Sequence, residues 1–308
     1  MRYLRIMRPA HWAKNSFVFA GLIFGKQLVG PADEVFFAVG SAVGAFLCFC
    51  LAASAVYIFN DIIDREADRL HPVKRERPIA AGAVSVGTAG LVAVICAAAA
   101  IVSSYLLARG LAFVIVSYMV LMIAYSLLLK RMLILDCVVI AVGFCLRAVA
   151  GVVVLESEEV FISPWLIICT FALCLFLAFG KRRSEIAQLG QGSEAIRETL
   201  AGYTPELLAH MLNVTSGLAV VCFVLYAMDD RTRELFGTNS LVYTTPLVLY
   251  CVFRFSALIQ QGKYSEPVEL ILKDRPFQIG FALWVLACAG IIYAHSLLSF
   301  LPGFRPAV

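Results

Sequence analysis

Nine apolar segments, each near the length that crosses a bilayer, recur at residues 16–30, 35–59, 84–108, 111–129, 133–155, 162–180, 210–228, 240–260 and 277–299. About 20 apolar residues in helical conformation span the hydrocarbon core, and only helices or closed barrels satisfy their backbone there. The reading is an all-α, polytopic membrane protein with nine transmembrane helices in a bundle, a single domain over residues 1–308. Composition agrees, with 61% hydrophobic and 15% charged residues, where a soluble domain carries about 25% charged. The first and fourth segments are short, which suits tilted or partly interfacial helices. Gly40 and Gly44 form a GxxxG in the second segment, a spacing that lets helices approach closely; in a chain with 21 glycines such a match carries little weight.

Lys and Arg are unevenly shared between the two sides. Eighteen of the 25 fall in the N-terminal stretch and in the loops after the second, fourth, sixth and eighth segments. By the positive-inside rule these are cytoplasmic, and nine spans put the C-terminus outside. The cytoplasmic loops are also the longer ones, which places the working face there. The opening stretch, "MRYLRIMRPAHWAKN", alternates bases with apolar residues and lacks a signal peptide's cleavage pattern. It reads as an interfacial amphipathic segment or as the polar flank of the first helix. The ten cysteines lie mostly inside apolar runs without the paired spacing of a zinc site, and are expected to be buried and reduced. A net charge of +4 is mild. Membrane phospholipid is an expected partner and nucleic acid is not; a homo-oligomer is left open.

Against this background one stretch stands apart. "FNDIIDREADRLHPVKRERPIAAG", residues 59–82, holds five carboxylates and five Lys or Arg side chains directly after an apolar run. In a helix continuing from the second segment, Asp61, Asp64 and Asp68 fall at i, i+3 and i+7, on one face, with Asn60 opening the set. Carboxylates stacked in this way repel one another unless a cation sits among them, and hard oxygen ligands suit Mg²⁺. Lys74, Arg75 and Arg77 follow, and Arg binds phosphate through two parallel N–H bonds while Lys adds a point charge. Acids for Mg²⁺ beside bases for phosphate describe a site for a diphosphate ester. The competing reading, a solvated helix end followed by topology-setting bases, explains each half alone but not their juxtaposition.

The pattern N-D-x-x-D-x-x-x-D after a second span resembles the UbiA superfamily of intramembrane prenyltransferases, over essentially the whole chain. Aromatic prenyltransferases of that superfamily carry a second Asp-rich motif, DxxxD, near the end of the sixth span. Here that place reads "FGKRRSEIAQLG", with Lys181, Arg182 and Arg183 and only Glu185 as an acid. A metal-binding pair has given way to an anion site, which suits a substrate with a second phosphate. "YSLLLKRMLILD", with Tyr125, Lys130 and Asp136, resembles the second motif of the decaprenyl-phosphate phosphoribosyltransferases within that superfamily. So do "RPAHWAKN", "HPVKRERPIAAG", "GFCLRAVAG", "GKRRSEI" and "LKDRPFQ".

That resemblance implies transfer of 5-phosphoribose from phosphoribosyl diphosphate (PRPP) to a polyprenyl phosphate, making a precursor lipid for cell-wall arabinan. It implies Mg²⁺ held by Asp61 and Asp64 with Asn60 and Asp68 close by, and diphosphate charge shared by Lys74, Arg75 and Arg77. Lys181 and Arg182 are assigned to the 5-phosphate, though the two basic groups are exchangeable. Lys14 and Asn15, and Lys273 and Arg275, are further phosphate contacts, with Asp274 either orienting the last two or touching a ribose hydroxyl. Asp136 is assigned to ribose hydroxyls or the metal, and Tyr203 carries a weaker assignment. His71 is read as loop structure or a minor phosphate contact. Arg147, some three turns into the fifth segment, is costly there and marks a functional position, paired with a buried acid or holding the lipid phosphate. The rival reading is an aromatic prenyltransferase acting on a prenyl diphosphate; a transporter would instead place its charges near the midplane of repeated halves.

Overall fold

The computed structural model describes residues 2–70, 73–155, 163–189, 200, 202–262 and 267–298. Among these, eight helices are long and apolar enough to cross a membrane. They are α1 (Ala32–Ile63), α2 (Val86–Leu107), α3 (Arg109–Leu127), α4 (Leu135–Val153), α5 (Pro164–Leu189), α6 (Pro205–Met228), α7 (Thr245–Gln260, extended by the 3-10 turn Ser240–Thr244) and α8 (Arg275–Leu298). These correspond to the second to ninth apolar segments.

The first apolar segment is not among them. Residues Pro9–Phe19 form a 3-10 helix and Ala20–Phe24 a single short α-helix. Its hydropathy is that of a span, but glycine contacts with α4 shape its backbone. A Cβ on Gly151 would lie 1.7 Å from the Val18 carbonyl oxygen, and one on Gly21 would lie 2.5 Å from that of Gly151. Backbone meets backbone there. Residue types that sum to an apolar score are silent about such an approach.

The chain divides into two compact units, residues 1–161 and 162–308. In the first, α1 presents a face of small side chains, Ala38, Ala42, Ala45 and Ala52, to a core that includes Phe49, Leu111, Ile115 and Tyr118. Small residues let helices pack where lipid removes the hydrophobic drive for association. The GxxxG is not used as a pair. A Cβ on Gly44 would strike Leu107, whereas Gly40 has nothing within 4 Å. Ser85 caps α2 by accepting a hydrogen bond from the Thr88 amide at 3.2 Å. In the second unit α5 packs on α6 and on α7, where Phe176 lies 4.9 Å from Phe255 between ring centres. Thr204 and Asp274 cap α6 and α8 through the amides of Leu207 and Phe277. The ten cysteines are thiols not joined in disulfides, eight of them buried.

These contacts assign different costs to two glycines. Gly151→Ala is expected to lower stability by about 1–3 kcal/mol, the usual cost of overpacking, while Gly40→Ala, in open helical surface, is expected to be neutral or slightly stabilising. Unfolding of both variants in mixed micelles checks this, and equal midpoints would contradict the backbone contact.

Candidate active site

The acidic motif straddles the end of α1. Asp64 stops the helix with φ −85° and ψ 3°, and a short helix, Arg65–Leu70, continues with the Asp68 amide bonded to the Asp64 carbonyl at 2.8 Å. Asp61 and Asp68 are buried and Asp64 is half-buried. Three basic side chains from separate parts of the chain meet them. Arg77, after the 3-10 turn Lys74–Glu76, donates Nη1 to Asp61 Oδ1 at 3.1 Å and to Asp68 Oδ2 at 2.6 Å. Arg8 grips Asp61 with two nitrogens, Nη2 on Oδ1 and Nε on Oδ2 at 3.2 Å. Lys130, from the turn Leu129–Arg131 after α3, donates to Asp64 Oδ1, whose other oxygen accepts from Asn60 Nδ2 at 3.0 Å. Buried carboxylates are tolerated when paired and hydrogen-bonded, and each of these three is.

Asn60, Asp61, Asp64, Asp68, Arg77 and Lys130 are therefore gathered around the end of α1 as a group of two sets, Asp61 and Asp68 on Arg77, and Asp64 on Lys130 and Asn60. Arg8 joins it unannounced; by sequence it counted only among the orienting bases. The signal available was its place directly before Pro9 in "RPAHWAKN", where a helix cannot simply run through.

The other expected residues of the first unit are placed by the elements that carry them. Lys74 is half-buried on its turn, and Arg75 is exposed and pairs with none of the described residues. Asp136 is wholly buried in the first turn of α4, and Tyr125 is half-buried near the end of α3. Lys14 is half-buried on the 3-10 segment. Arg147 meets no acid among the described residues. Its guanidinium donates to Asn15 Oδ1 at 2.8 Å, to the Gly143 carbonyl at 2.7 Å and to the Tyr118 hydroxyl at 2.9 Å. The rings of Tyr118, Phe144 and Phe49 enclose it at 4.6, 5.1 and 5.7 Å. Neutral dipoles and ring faces thus compensate this charge. His71 lies outside the described residues.

In the second unit Arg182 is 3% exposed and pairs with Glu185 one turn along, with Lys181 4.0 Å from the same carboxylate. Lys273 pairs with Glu269 at 2.8 Å, and Arg275 is exposed at the start of α8. Asp274, read as an orienter of its neighbours, instead receives both edges of Arg254 at 3.0 and 2.9 Å and caps α8. Tyr203 is buried, edge-on to Phe179.

Among the described residues no three His, Cys, Asp or Glu side chains are drawn together tightly enough to form a ready metal cage. The donor set nonetheless suits a hard divalent ion. Arg77 Nη1, a cationic nitrogen, touches carboxylate oxygens of Asp61 and Asp68 at once, so one positive centre already bridges them. Oxygen donors shared between two carboxylates are what Mg²⁺ takes.

Comparison with known proteins now has a geometry to meet. Residues 16–273 match the model of the UbiA prenyltransferase family. The chain belongs to that family. Two of its relatives are the decaprenyl-phosphate phosphoribosyltransferases of Mycolicibacterium smegmatis and Mycobacterium tuberculosis H37Rv. The first is 35% identical, covering 94% of this chain and 92% of the relative, and the second 32%, covering 92% and 91%. The fold is also that of a UbiA homolog from Archaeoglobus fulgidus bound to GPP and Mg²⁺, with a TM-score of 0.68, 20% identity, and coverage of 95% of this chain and 99% of that one. The protein is thus a multi-pass membrane protein of UbiA type.

Arg77 links two acids that are 4% and 5% exposed at their side chains, so its removal leaves both underpaired. Arg77→Gln is expected to cost about 1–3 kcal/mol, and Asp68→Asn in the same background to return about 1 kcal/mol of it. Unfolding of the two single variants and the double variant measures the coupling; strictly additive effects would dissolve the bridge.

Proposed function

We propose that the protein transfers 5-phosphoribose from PRPP to a polyprenyl phosphate, decaprenyl phosphate in its curated relatives, releasing diphosphate. Identity above 30% with two decaprenyl-phosphate phosphoribosyltransferases over nearly the full length of each chain carries the reading. The site supports it: oxygen donors and bases are interleaved within hydrogen-bond reach, as a diphosphate leaving group requires. The product is a precursor lipid for cell-wall arabinan, made at the cytoplasmic face of a bacterial inner membrane.

Asp61 and Asp68, with Asp64 and Asn60 beside them, would hold Mg²⁺. Bound there, the ion supplies Lewis-acid stabilisation of the diphosphate as it leaves. Arg77 and Lys130 stand against the same carboxylates, and together with Lys74 and Arg75 they take up charge that develops on the leaving oxygen. Asp136, on α4, is assigned to the ribose hydroxyls, with Tyr125 and Lys14 as further substrate contacts. In the second unit Lys181, Arg182 with Glu185, Lys273 and Arg275 are assigned to substrate phosphate, each testable by its own variant.

The acceptor needs no general base, because a phosphate monoester is already ionised at neutral pH. Its oxygen forms a bond to C1 as the C1–O bond to diphosphate breaks, through a centre of oxocarbenium character. A single displacement inverts C1, so the lipid product should carry the β configuration; a product that keeps the α configuration would exclude that route.

Purified protein given Mg²⁺, labelled PRPP and decaprenyl phosphate should place label in the extracted lipid. Asp61→Asn should lower the rate by at least about 100-fold, as removal of a group acting on the transition state does, and EDTA should abolish it. A prenyl diphosphate and an aromatic acceptor reacting where PRPP does not would replace this reading with aromatic prenyl transfer.

A further inference from the structure

The segment that forms a 3-10 helix in place of a long α-helix is fastened by buried polar contacts. Asn15, wholly buried, accepts from Arg147 and donates Nδ2 to Cys50 Sγ at 3.3 Å. Trp12 Nε1 donates to Ser54 Oγ at 3.1 Å, and the Ser54 hydroxyl lies 3.0 Å from the Met7 carbonyl and 2.7 Å from that of Cys50. Further along, the Val18 carbonyl abuts Gly151. Residues 7–18 are therefore pinned in register on α1 and α4.

The pinning ends one residue from Arg8. That residue adopts φ 54° and ψ 59°, the left-handed region that non-glycine residues seldom enter. Such a conformation persists when the surroundings overdetermine it, and it concentrates where a side chain has a task. Here it delivers a guanidinium to a buried carboxylate. Cys50, Ser54 and Asp61 stand at i, i+4 and i+11 on α1, so one helix face both anchors the arm and receives Arg8. Arg8 commits Nε and Nη2 to Asp61, while Nη1 bonds to none of the described residues and the side chain is 19% exposed. An Arg fork with one edge fixed on a carboxylate offers the rest of its planar N–H set to a phosphate oxygen.

We propose that residues 7–18 form a rigid arm that holds Arg8 as a diphosphate-binding residue oriented by Asp61, with Ser54 as a positioning residue acting through the arm. The identity of the anion rests on the phosphoribosyl-transfer reading. A structural ion pair alone would leave anion affinity unchanged and register only in stability.

The test uses the full chain in detergent, with Mn²⁺ and inorganic diphosphate as the probe and loss of the free Mn²⁺ paramagnetic signal as the readout. Arg8→Gln should weaken diphosphate-dependent Mn²⁺ binding by about tenfold or more, the loss of a charge-assisted contact. Arg8→Lys, which keeps the charge but not the fork, should lose less, and it decides the matter if Arg8→Gln does not fold. Ser54→Ala should weaken binding about threefold through loss of arm register. Wild-type affinity in the folded Arg8 variants would overturn the assignment, and wild-type affinity in Ser54→Ala would remove the arm's role. The phosphoribosyl reading is judged separately: wild-type protein that binds manganese diphosphate yet transfers no phosphoribose to lipid refutes that reading and leaves Arg8 in place.

Discussion

Three carboxylates at the end of a 32-residue apolar helix can coexist only because three cations stand against them. Asp61 and Asp68 are held nearly out of solvent, and an acid so placed stays ionised only with partners that replace its lost hydration. Arg8, Arg77 and Lys130 supply them from three separate stretches of the first unit. The loop after α1, the turn after α3 and the N-terminal arm are each tied to that end by charge, and Ile6 and Ile79 add apolar packing against Ile58. Around the network the fold is ordinary helix-on-helix contact through alanine and glycine. At the network it is a set of mutually dependent ion pairs, where loss of one partner costs more than the pair itself contributes.

Such a network is also suited to exchange partners. A guanidinium bonded to two carboxylates and a lysine bonded to a third are the groups a diphosphate would recruit, and the oxygens they leave are the groups a divalent ion would recruit. Acids and bases that neutralise one another are thus components of a site for a charged ligand pair of the opposite arrangement. Under the proposed function that reciprocity accounts for both signs crowding into residues 59–82, where a site for a lone cation or a lone anion would need only one.

Much of this was legible in the sequence because it is written at short range. Eight of the nine apolar runs became long helices, since hydropathy over about 20 residues reports directly on burial in lipid. The spacing of Asp61 and Asp64 set both at the last turn of α1, since helix periodicity is local, while Asp68 meets Asp61 through Arg77 from the short helix beyond that break. What escaped was contact at long range. Arg8 lies 53 positions from Asp61, and Lys130 lies 66 from Asp64. No periodicity joins such pairs, and only the family resemblance of its motif marks Lys130. The 3-10 arm escaped because the backbone approach of Gly151 to Val18 depends on two segments at once. Arg254 and Asp274 escaped likewise: their pairing across 20 positions forms a clasp for α8, which Asp274 also caps.

Arg147 and Arg182 show that a buried cation is not one kind of evidence. Both are nearly inaccessible, at 5% and 3% exposure. Arg147 is enclosed by an amide, a carbonyl, a hydroxyl and three rings, so its charge is spread over fixed dipoles and it works as a fastener between α4 and the arm. Arg182 faces a carboxylate one helical turn away, in a segment where Lys181 and Arg183 leave the positive charge in excess. A residue whose field is absorbed by neutral neighbours holds structure. One set beside an acid in a run of like charge is what an anion site uses, and the phosphate role proposed for Lys181–Glu185 rests on that contrast.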